Sequence, residues 1–447
     1  MISQRIAEEV LQEAKRKGAT EADVVAVENE FVTVQVRLDE IETLRSAREV
    51  RLGLRLFFDK RSATSSTSDL SKESLERLVE DTSALAKATA HDEYSGLPSP
   101  EECAKRFPEL DLYDPAGESL SLNDRITRAK VAEAAALSYD PRITNSEGAE
   151  FASDLYRIIY GSSHGFLGEY RGSTFSLAVT PIALSDGAMQ RDYWYSYSRH
   201  LRELESPEAV GKRAAERTIR RLGARKIATR EVPVVFDPET SASLMRSLCS
   251  AVSGPLLYRG ASFLIDRLGD RIAPEIVSIY DDGILPGHLG SKPFDGEGLP
   301  TRRTAVVQNG VLRSYLLDTY SARKLKLPPT GSAARGIGDV PSVGPTNFFL
   351  QLGPHDPTEI IRSVDSGLYV TELIGPGVNL VTGDYSRGAV GFWIERGELT
   401  YPVEEITVAG NLKEMLLGIE MVGSDLTFRG SVAAPTLKIR RMTIAGH

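Results

Sequence analysis

Cysteine is scarce in this chain of 447 residues: only Cys103 and Cys249 occur. Two cysteines without a paired spacing exclude a disulfide framework, and they also exclude a CxxC zinc or redox site. Such sparse use of cysteine is typical of proteins from a reducing compartment. We therefore expect a cytoplasmic protein.

Long apolar runs are also missing. No stretch approaches the ~18–20 apolar residues that a membrane-spanning helix needs. The N-terminal sequence MISQRIAEEVLQEAKRKG places its apolar residues at helical spacing among charges, whereas a signal peptide has a continuous apolar core. We expect neither a signal peptide nor a membrane partner.

The chain also lacks an excess of basic residues. The chain has 53 lysines and arginines against 62 aspartates and glutamates, a formal net charge of -9. Proteins that bind nucleic acid by neutralising phosphates need a basic face, so we expect no direct nucleic-acid partner. With 41% hydrophobic residues the chain can bury a large core, and its length predicts two or three domains.

The periodicity of apolar residues predicts the organisation of the chain. Alternation from residue 24 to 58 indicates a meander of antiparallel strands, while helical spacing predicts helices over 71–88, 123–138, 207–222, 240–252 and 314–325. A short basic linker near 223–231 divides the chain into predicted domains 1–223 and 231–447. The predicted fold class is α+β, with antiparallel strands and packing helices in the first domain and a turn-rich, mainly β second domain with few helices.

Several catalytic motifs are absent. There is no HExxH motif, no two histidines fall within one helical turn, and neither a GxSxG elbow nor a GxxxxGK[ST] loop occurs. His288 lies in a predicted loop, where a solvated histidine is the commoner interpretation than a catalytic one. Cys249 lies near the end of a predicted helix, and a buried, inert thiol is favoured there over a nucleophile.

Two glycine-rich segments carry polar side chains. GPGVNLVTGDYSRGAVGFWI, residues 375–394, could line a cleft for an extended peptide or form tight turns in a crowded β domain. FDGEGLPTRRT, residues 294–304, places Asp295 and Glu297 ahead of Arg302 and Arg303, which predicts a salt-bridge cluster within a loop.

Three motifs in order give the C-terminal half a family resemblance. They are VSIYDDGILPGHLGSKPFDGEGLPTRRTAVVQNGVLRSYLLDTYSARKL, PPTGSAARG and LVTGDYSRGAVGFWIERGELTYPVEEITVAGNLKEML. Together they resemble the TldD/PmbA family of bacterial and archaeal proteins, often labelled modulators of DNA gyrase. The resemblance runs from residue 232 to about 439, and the N-terminal helix and meander are similar to that family's first domain.

The resemblance implies a peptidase of two related subunits that degrades unfolded or short peptides with zinc. The catalytic branch carries HExxxH on the helix that follows the VPVVF-type strand, and a cysteine near the C-terminus. Here Cys249 and Gly254 stand at the histidine positions and Ser250 at the glutamate position, while GSDLTFRGSVAAPTLKI contains no cysteine and offers only Ser424 and Asp425. The chain therefore resembles the PmbA/TldE branch, which implies no cofactor bound by this chain, with the zinc expected in the partner subunit.

A subunit of this kind is expected to pair with a TldD-like catalytic subunit and to contribute to the substrate channel. The hypothetical channel residues lie in the second glycine-rich motif: Asn379, Thr382, Asp384, Tyr385, Ser386 and Arg387. One alternative from another class remains, a homodimeric peptide-binding or scaffolding protein without a hydrolytic partner. A thiol hydrolase using Cys249 is the least favoured alternative, because no histidine lies near it in the sequence.

Overall fold

The structure is a computed structural model that describes residues 2–446. Over that range, none of the helices combines the length and the apolar character needed to cross a membrane.

The N-terminal half is built on one antiparallel sheet with helices against it. Its strands follow the order β3-β2-β1-β4-β5-β6, and β7 also pairs with β5. The elements are α1 (Gln4–Arg16), β1 (Glu21–Arg37), β2 (Glu40–Phe58), β3 (Arg61–Thr67), α2 (Lys72–Ala88), α3 (Ala116–Ser119), α4 (Leu122–Leu137), β4 (Ile143–Ser162), β5 (Leu167–Ser185), β6 (Ala188–Arg191), β7 (Trp194–Ser198) and α5 (Pro207–Arg220), with a 3-10 turn at Leu201–Glu203.

The helices cover one face of this sheet because alternate strand residues are apolar there. Val24 and Leu54 pack against α1 and α2, and Phe151 and Phe175 pack against α4 and α5. Serine N-caps begin the longer helices; Ser71, for example, accepts a hydrogen bond from the backbone N–H of Ser74. Within residues 2–446 the opposite face of the sheet carries no helix, and it meets Phe294 and Ile337 of the C-terminal half of the chain.

The C-terminal half is mainly β with short helices. Its elements are β8 (Arg230–Phe236), α6 (Pro238–Ala251), α7 (Gly254–Tyr258), β9 (Ile279–Asp282), β10 (Arg303–Gln308), β11 (Val311–Leu312), α8 (Thr319–Leu325), β12 (Ala333–Ala334), β13 (Ser342–Val343), β14 (Phe348–Leu350), α9 (Pro357–Arg362), β15 (Ser366–Ile374), β16 (Asp384–Glu395), β17 (Glu398–Asn411), α10 (Leu412–Leu417), β18 (Ile419–Val422), β19 (Val432–Ala433) and β20 (Leu437–Ala445).

One of its sheets closes on itself. The strands pair in the order β17-β16-β15-β8-β20, and β17 also pairs with β20, so these five strands form a ring. Phe236, Trp393 and Ile444 belong to the large apolar core that the ring and α6 share. A second sheet, β11-β10-β9-β14-β19, lies in the same half of the chain.

The predicted fold class is confirmed, with two corrections in detail. The helix predicted over 314–325 begins only at Thr319, because Asp318 forms a capping box with Ser321 and Leu316 pairs in a β-bridge with Ser253. Residues 384–391 belong to β16, whereas the glycine content favoured a loop. The division of the chain near residues 223–231 stays a prediction.

Candidate functional site

The C-terminal end of α6 is where the family resemblance places a metal motif. Asp237 begins this helix: its carboxylate accepts the backbone N–H of Thr240 at 2.8 Å. Burial raises the pKa of Asp237 to about 7, although hydrogen bonds from Thr240 oppose that shift. The helix then runs through the apolar core to Ala251.

Cys249 is a core residue in the structure. Its side chain packs among apolar residues of the C-terminal core and only 6% of its surface is exposed. Burial, and secondarily the charge of Asp281, raises the pKa of the thiol well above its ordinary value. Because a metal ligand or nucleophile must be a thiolate, Cys249 is suited to neither role as it stands.

The two neighbouring positions do not supply ligands either. Gly254 is buried, and a Cβ atom added there would overlap the side chain of Ser321 and lie 2.9 Å from Leu317 Cδ2. A histidine has no room at that position. Ser250 is exposed on the last turn of α6 and carries only a hydroxyl.

Ser424 and Asp425, the two polar residues noted near the C-terminus, are also engaged with other partners. The Asp425 carboxylate accepts the backbone N–H of Thr436 at 2.9 Å and its hydroxyl at 2.7 Å, and Ser424 donates its backbone N–H to His355. Among residues 2–446, no group of three or more histidine, cysteine, aspartate or glutamate side chains is arranged to hold a metal ion. The residues at these positions therefore do not fit a zinc ion.

The β15–β16 hairpin carries the predicted channel residues. The structure brings three of them together at its tip: the Thr382 hydroxyl donates to Asp384 Oδ2 at 2.6 Å, and Asn379 Oδ1 accepts the backbone N–H of Val381. Hydrogen bonds from Thr382 and Asn411 lower the pKa of the exposed Asp384 carboxyl. This turn is a polar, solvent-facing surface.

The remaining three channel residues point in different directions. Tyr385 lies in the apolar core with 2% of its surface exposed, whereas Ser386 is exposed. Arg387 donates through Nη1 to Ser243 Oγ at 2.6 Å and through Nη2 to the carbonyl of Leu373 at 3.2 Å. Arg387 thus ties the hairpin to α6, and Tyr385 is not accessible to a substrate.

Glycine allows the two strands of this hairpin to approach each other closely. A Cβ atom added at Gly391 would overlap the carbonyl oxygen of Tyr369 on β15, beside the register shift between Val370 and Glu372. Close approach of two backbones requires glycine at that position. The glycine-rich sequence therefore reflects strand packing at one end and an exposed turn at the other.

Asp295 and Glu297 occupy a buried position that sequence reasoning did not predict. The expected loop cluster with Arg302 and Arg303 is wrong: Arg302 donates to the carbonyl of Pro329, and Arg303 lies 3.8 Å from Asp282. Asp295 accepts three backbone N–H groups, from Glu297 and Leu299 on Oδ1 and from Ala333 on Oδ2.

Glu297 belongs to a buried cluster between the two halves of the chain, which we call the junction cluster: Asp23, Arg55, Tyr160, Glu297 and Arg335. Arg55 Nη2 lies 2.5 Å from Asp23 Oδ2 and 3.8 Å from Glu297 Oε1. Arg335 Nη1 lies 2.6 Å from Asp23 Oδ1, and the Tyr160 hydroxyl donates to Asp23 at 3.2 Å.

The two carboxylates of the junction cluster have pKa values that are shifted in opposite directions. Burial opposes ionisation of Asp23, but the charges of Arg335 and Arg55 outweigh it and hold the pKa of Asp23 below its ordinary value. Burial raises the pKa of Glu297 to about 7, and Arg55 opposes that shift only in part. No local sequence signal could have found this cluster, because its members come from distant parts of the chain.

Two of the cavities along the N-terminal sheet are larger than a third one there, which measures about 350 Å³. The first, of about 630 Å³, extends from β5 and β6 to β15. Charged residues of its lining pair with one another: Arg191 pairs with Glu147 at 2.7 Å, and Arg221 pairs with Glu372 at 2.6 Å. The second, of about 610 Å³, lies on the helix-free face of the sheet and reaches Leu289 and Ile337 of the C-terminal half.

Models of the PmbA/TldA metallopeptidase family match three consecutive parts of the chain: domain 1 at residues 22–86, the central domain at 115–222 and the C-terminal domain at 229–446. The chain is 39% identical to metalloprotease PmbA of Escherichia coli O157:H7, over 95% of this chain and 92% of that protein. It is 37% identical to a PmbA homologue of Haemophilus influenzae, over 97% and 94%.

A solved structure is also similar along the whole chain. It is a protein of Bacteroides thetaiotaomicron described by its relation to DNA gyrase modulation, with a TM-score of 0.93, 30% identity and full coverage of both chains.

Proposed function

The chain belongs to the PmbA/TldD family of metallopeptidases, and from this premise we propose that it is the non-catalytic subunit of a cytoplasmic complex. In this proposal a TldD-like subunit holds the zinc ion and this chain pairs with it. The substrates of the complex are unfolded or short peptides. The cytoplasmic location is part of the proposal and is supported by the two free cysteines.

One observation carries the proposal: the position of Gly254 against Ser321. A zinc peptidase site needs about three protein ligands and a base. The Gly254 position has no space for an imidazole, and Cys249 is a protonated thiol inside the core. Neither position therefore supplies a zinc ligand, which supports a role other than metal binding for this chain.

The β15–β16 hairpin is the surface we assign to substrate contact. Its polar tip, with Asn379, Thr382 and Asp384, lies beside the exposed apolar side chains of Ile374 and Val381, at 53% and 55% exposure. Unfolded peptides present both backbone polar groups and apolar side chains, so a mixed surface suits them. Arg387 holds the hairpin against α6, which is a positioning role.

Native mass spectrometry with metal analysis tests the proposal. The chain purified with zinc present is expected to be zinc-free, and mixing with the TldD-like protein of the same organism is expected to give a one-to-one complex that holds one zinc ion. Peptide turnover is expected only for the complex. Stoichiometric zinc on the isolated chain would contradict the proposal.

The same experiment separates the alternatives. A homodimer that binds peptides but does not pair with the TldD-like protein would favour the scaffolding function. A thiol hydrolase would lose its activity in Cys249→Ala, and the buried, protonated thiol argues against that mechanism.

A further inference from the structure

The loop 294–300 of the C-terminal half lies against the helix-free face of the N-terminal sheet. A β-bridge between Phe294 and Pro300 closes the loop. The Phe294 ring contacts the rings of Phe166 and Tyr170, with centroid distances of 5.2 and 5.3 Å. The loop therefore joins the two halves of the chain, and whatever changes its packing changes the contact between them.

Glu297 lies in the turn of this loop, and only 2% of its surface is exposed. Its Oε2 accepts the backbone N–H of Thr319, the first residue of α8, at 2.8 Å. Its Oε1 faces the N-terminal sheet, where Arg55 Nη2 lies 3.8 Å away. One carboxyl group thus connects the loop both to α8 and to the N-terminal sheet.

The surroundings of Glu297 disfavour a negative charge on it. Arg55 lies closer to Asp23, whose Oδ2 is 2.5 Å from Nη2, than to Glu297. Burial is the main cause that raises the pKa of Glu297 to about 7, and the carboxyl groups of Asp295 and Asp318 add to this shift against the charge of Arg55. Further titratable groups at this contact are the remaining members of the junction cluster, Lys292 and Cys103.

We propose that Glu297 is a protonation switch at the contact between the two halves of the chain. The protonated side chain keeps loop 294–300 packed against the N-terminal sheet and α8. Loss of the proton leaves a poorly compensated charge in a buried contact, which is costly, so the loop opens toward water. This switch belongs to the chain by itself and does not depend on the proposed function.

Proton linkage gives the direction of the pH effect. Because the pKa of Glu297 is raised from 4.5 to about 7, the closed contact binds more protons than the open one between these values. The stabilisation of the closed contact is complete below pH 4.5, and it is lost as the pH rises to about 7. The fraction of open loop therefore increases as the solution changes from mildly acidic to mildly basic.

Hydrogen–deuterium exchange of the full chain from about pH 5.5 to about pH 8 tests the proposal, with rates corrected for the intrinsic pH dependence of exchange. Peptides that contain loop 294–300 or the backbone N–H of Thr319 report on the contact. Their protection is expected to fall about tenfold or more across this range, because the opening equilibrium follows proton binding at Glu297. Peptides from α4, which packs on the other face of the sheet, are the internal reference and should keep their protection.

Glu297→Gln isolates the effect of this carboxyl group. The variant is needed because burial also raises the pKa of Asp237 and Asp281 in the same half of the chain. Glutamine is neutral at every pH and can still accept the N–H of Thr319, so this variant is expected to keep the protection of the loop at about pH 8. The exposed Glu275→Gln is the matched control and should lose protection as the original chain does.

Asp318→Asn is an independent variant. Asparagine is an effective N-cap for α8, but the substitution removes a carboxyl group that opposes ionisation of Glu297, so protection should be lost at a lower pH. The proposal is overturned if the original chain keeps its loop protection across the pH range, or if a folded Glu297→Gln loses protection as the original chain does. Should Glu297→Gln not fold, an unshifted transition in Asp318→Asn overturns it as well.

Discussion

Arg335 Nη1 and Asp23 Oδ1 lie 2.6 Å apart, an ion pair between residues separated by 312 positions in the sequence. Asp23 is fully buried and 1% of the Arg335 side chain is exposed. The pair therefore joins the first strand of the N-terminal sheet to the β12 region of the C-terminal half, in an environment that excludes water.

Removal of one partner of this pair should be strongly destabilising. Arg335→Met removes one of the two arginines that pair with Asp23. Breaking a buried ion pair costs roughly 3–5 kcal/mol. We expect a loss of this order in the free energy of unfolding, measured by urea denaturation. Arg142→Ala, which breaks an exposed pair with Asp140, is the control and should have a much smaller effect because solvent screens that pair. Equal effects of both variants would contradict the assigned role of the junction cluster.

Asp237 should make stability depend on pH. Its pKa is raised from 3.8 to about 7 in the folded chain, so between these values the folded state binds more protons than the unfolded state. The stabilising contribution of the neutral carboxyl is complete below pH 3.8, and it is lost as the pH rises to about 7. Stability from this group therefore falls across that window.

Asp237→Asn removes this dependence while keeping an effective N-cap for α6. From pH 5 to pH 7.5 we expect the variant to gain stability relative to the original chain by about 1 kcal/mol or more. Urea midpoints at both pH values check this. Parallel pH profiles of the two proteins would show that Asp237 does not titrate in this range.

Much of the fold was predictable because its signals are local. Ser71 caps α2 at the predicted start, and alternation along β1 marks the face that the helices cover. The burial of Glu297 was not predictable, because Arg55, which also pairs with Asp23, approaches it only through tertiary structure. Closure of the strand ring by the pairing of Val408 with Ile444 is equally non-local.

The candidate site was also predictable only in part from the sequence. The absence of histidine at positions 249 and 254 is visible in the sequence, and only the family resemblance makes these positions of interest, whereas the reason that Gly254 resists a larger side chain is its contact with Ser321. In the glycine-rich segment Asp384 is exposed, whereas Tyr385 turns into the core because strand alternation continues there.

Gly254→Ala should be destabilising because the added methyl meets Ser321 and Leu317. Overpacking of a buried site costs roughly 1–3 kcal/mol. Gly430→Ala is the control, since a Cβ atom there meets nothing within 4 Å, and it should leave the unfolding free energy nearly unchanged.

A motif-restoring variant extends this test. Introducing Cys249→His, Ser250→Glu and Gly254→His together should fail to give a folded chain with one zinc ion, because the last substitution has no space. Thermal unfolding and metal analysis report both properties, and a folded variant with stoichiometric zinc would refute the packing argument.

Variants of the β15–β16 hairpin test whether this chain contributes to peptide turnover, as we propose. Asp384 is exposed and Arg387 holds the hairpin against Ser243 of α6. Asp384→Asn should lower turnover by the complex through lost substrate contact, and Arg387→Ala should lower it through a displaced hairpin. A reduction of about tenfold corresponds to one charge-assisted hydrogen bond.

Pairing with the TldD-like subunit should survive both substitutions, so native mass spectrometry should still show the one-to-one complex. Glu398→Gln, an exposed carboxylate at the next hairpin, is the matched control and should leave turnover unchanged. If Asp384→Asn and Arg387→Ala both turn over peptides at the original rate, the hairpin is not a substrate surface. If they abolish pairing instead, the hairpin is an interface, because loss of turnover would then follow from loss of the catalytic partner.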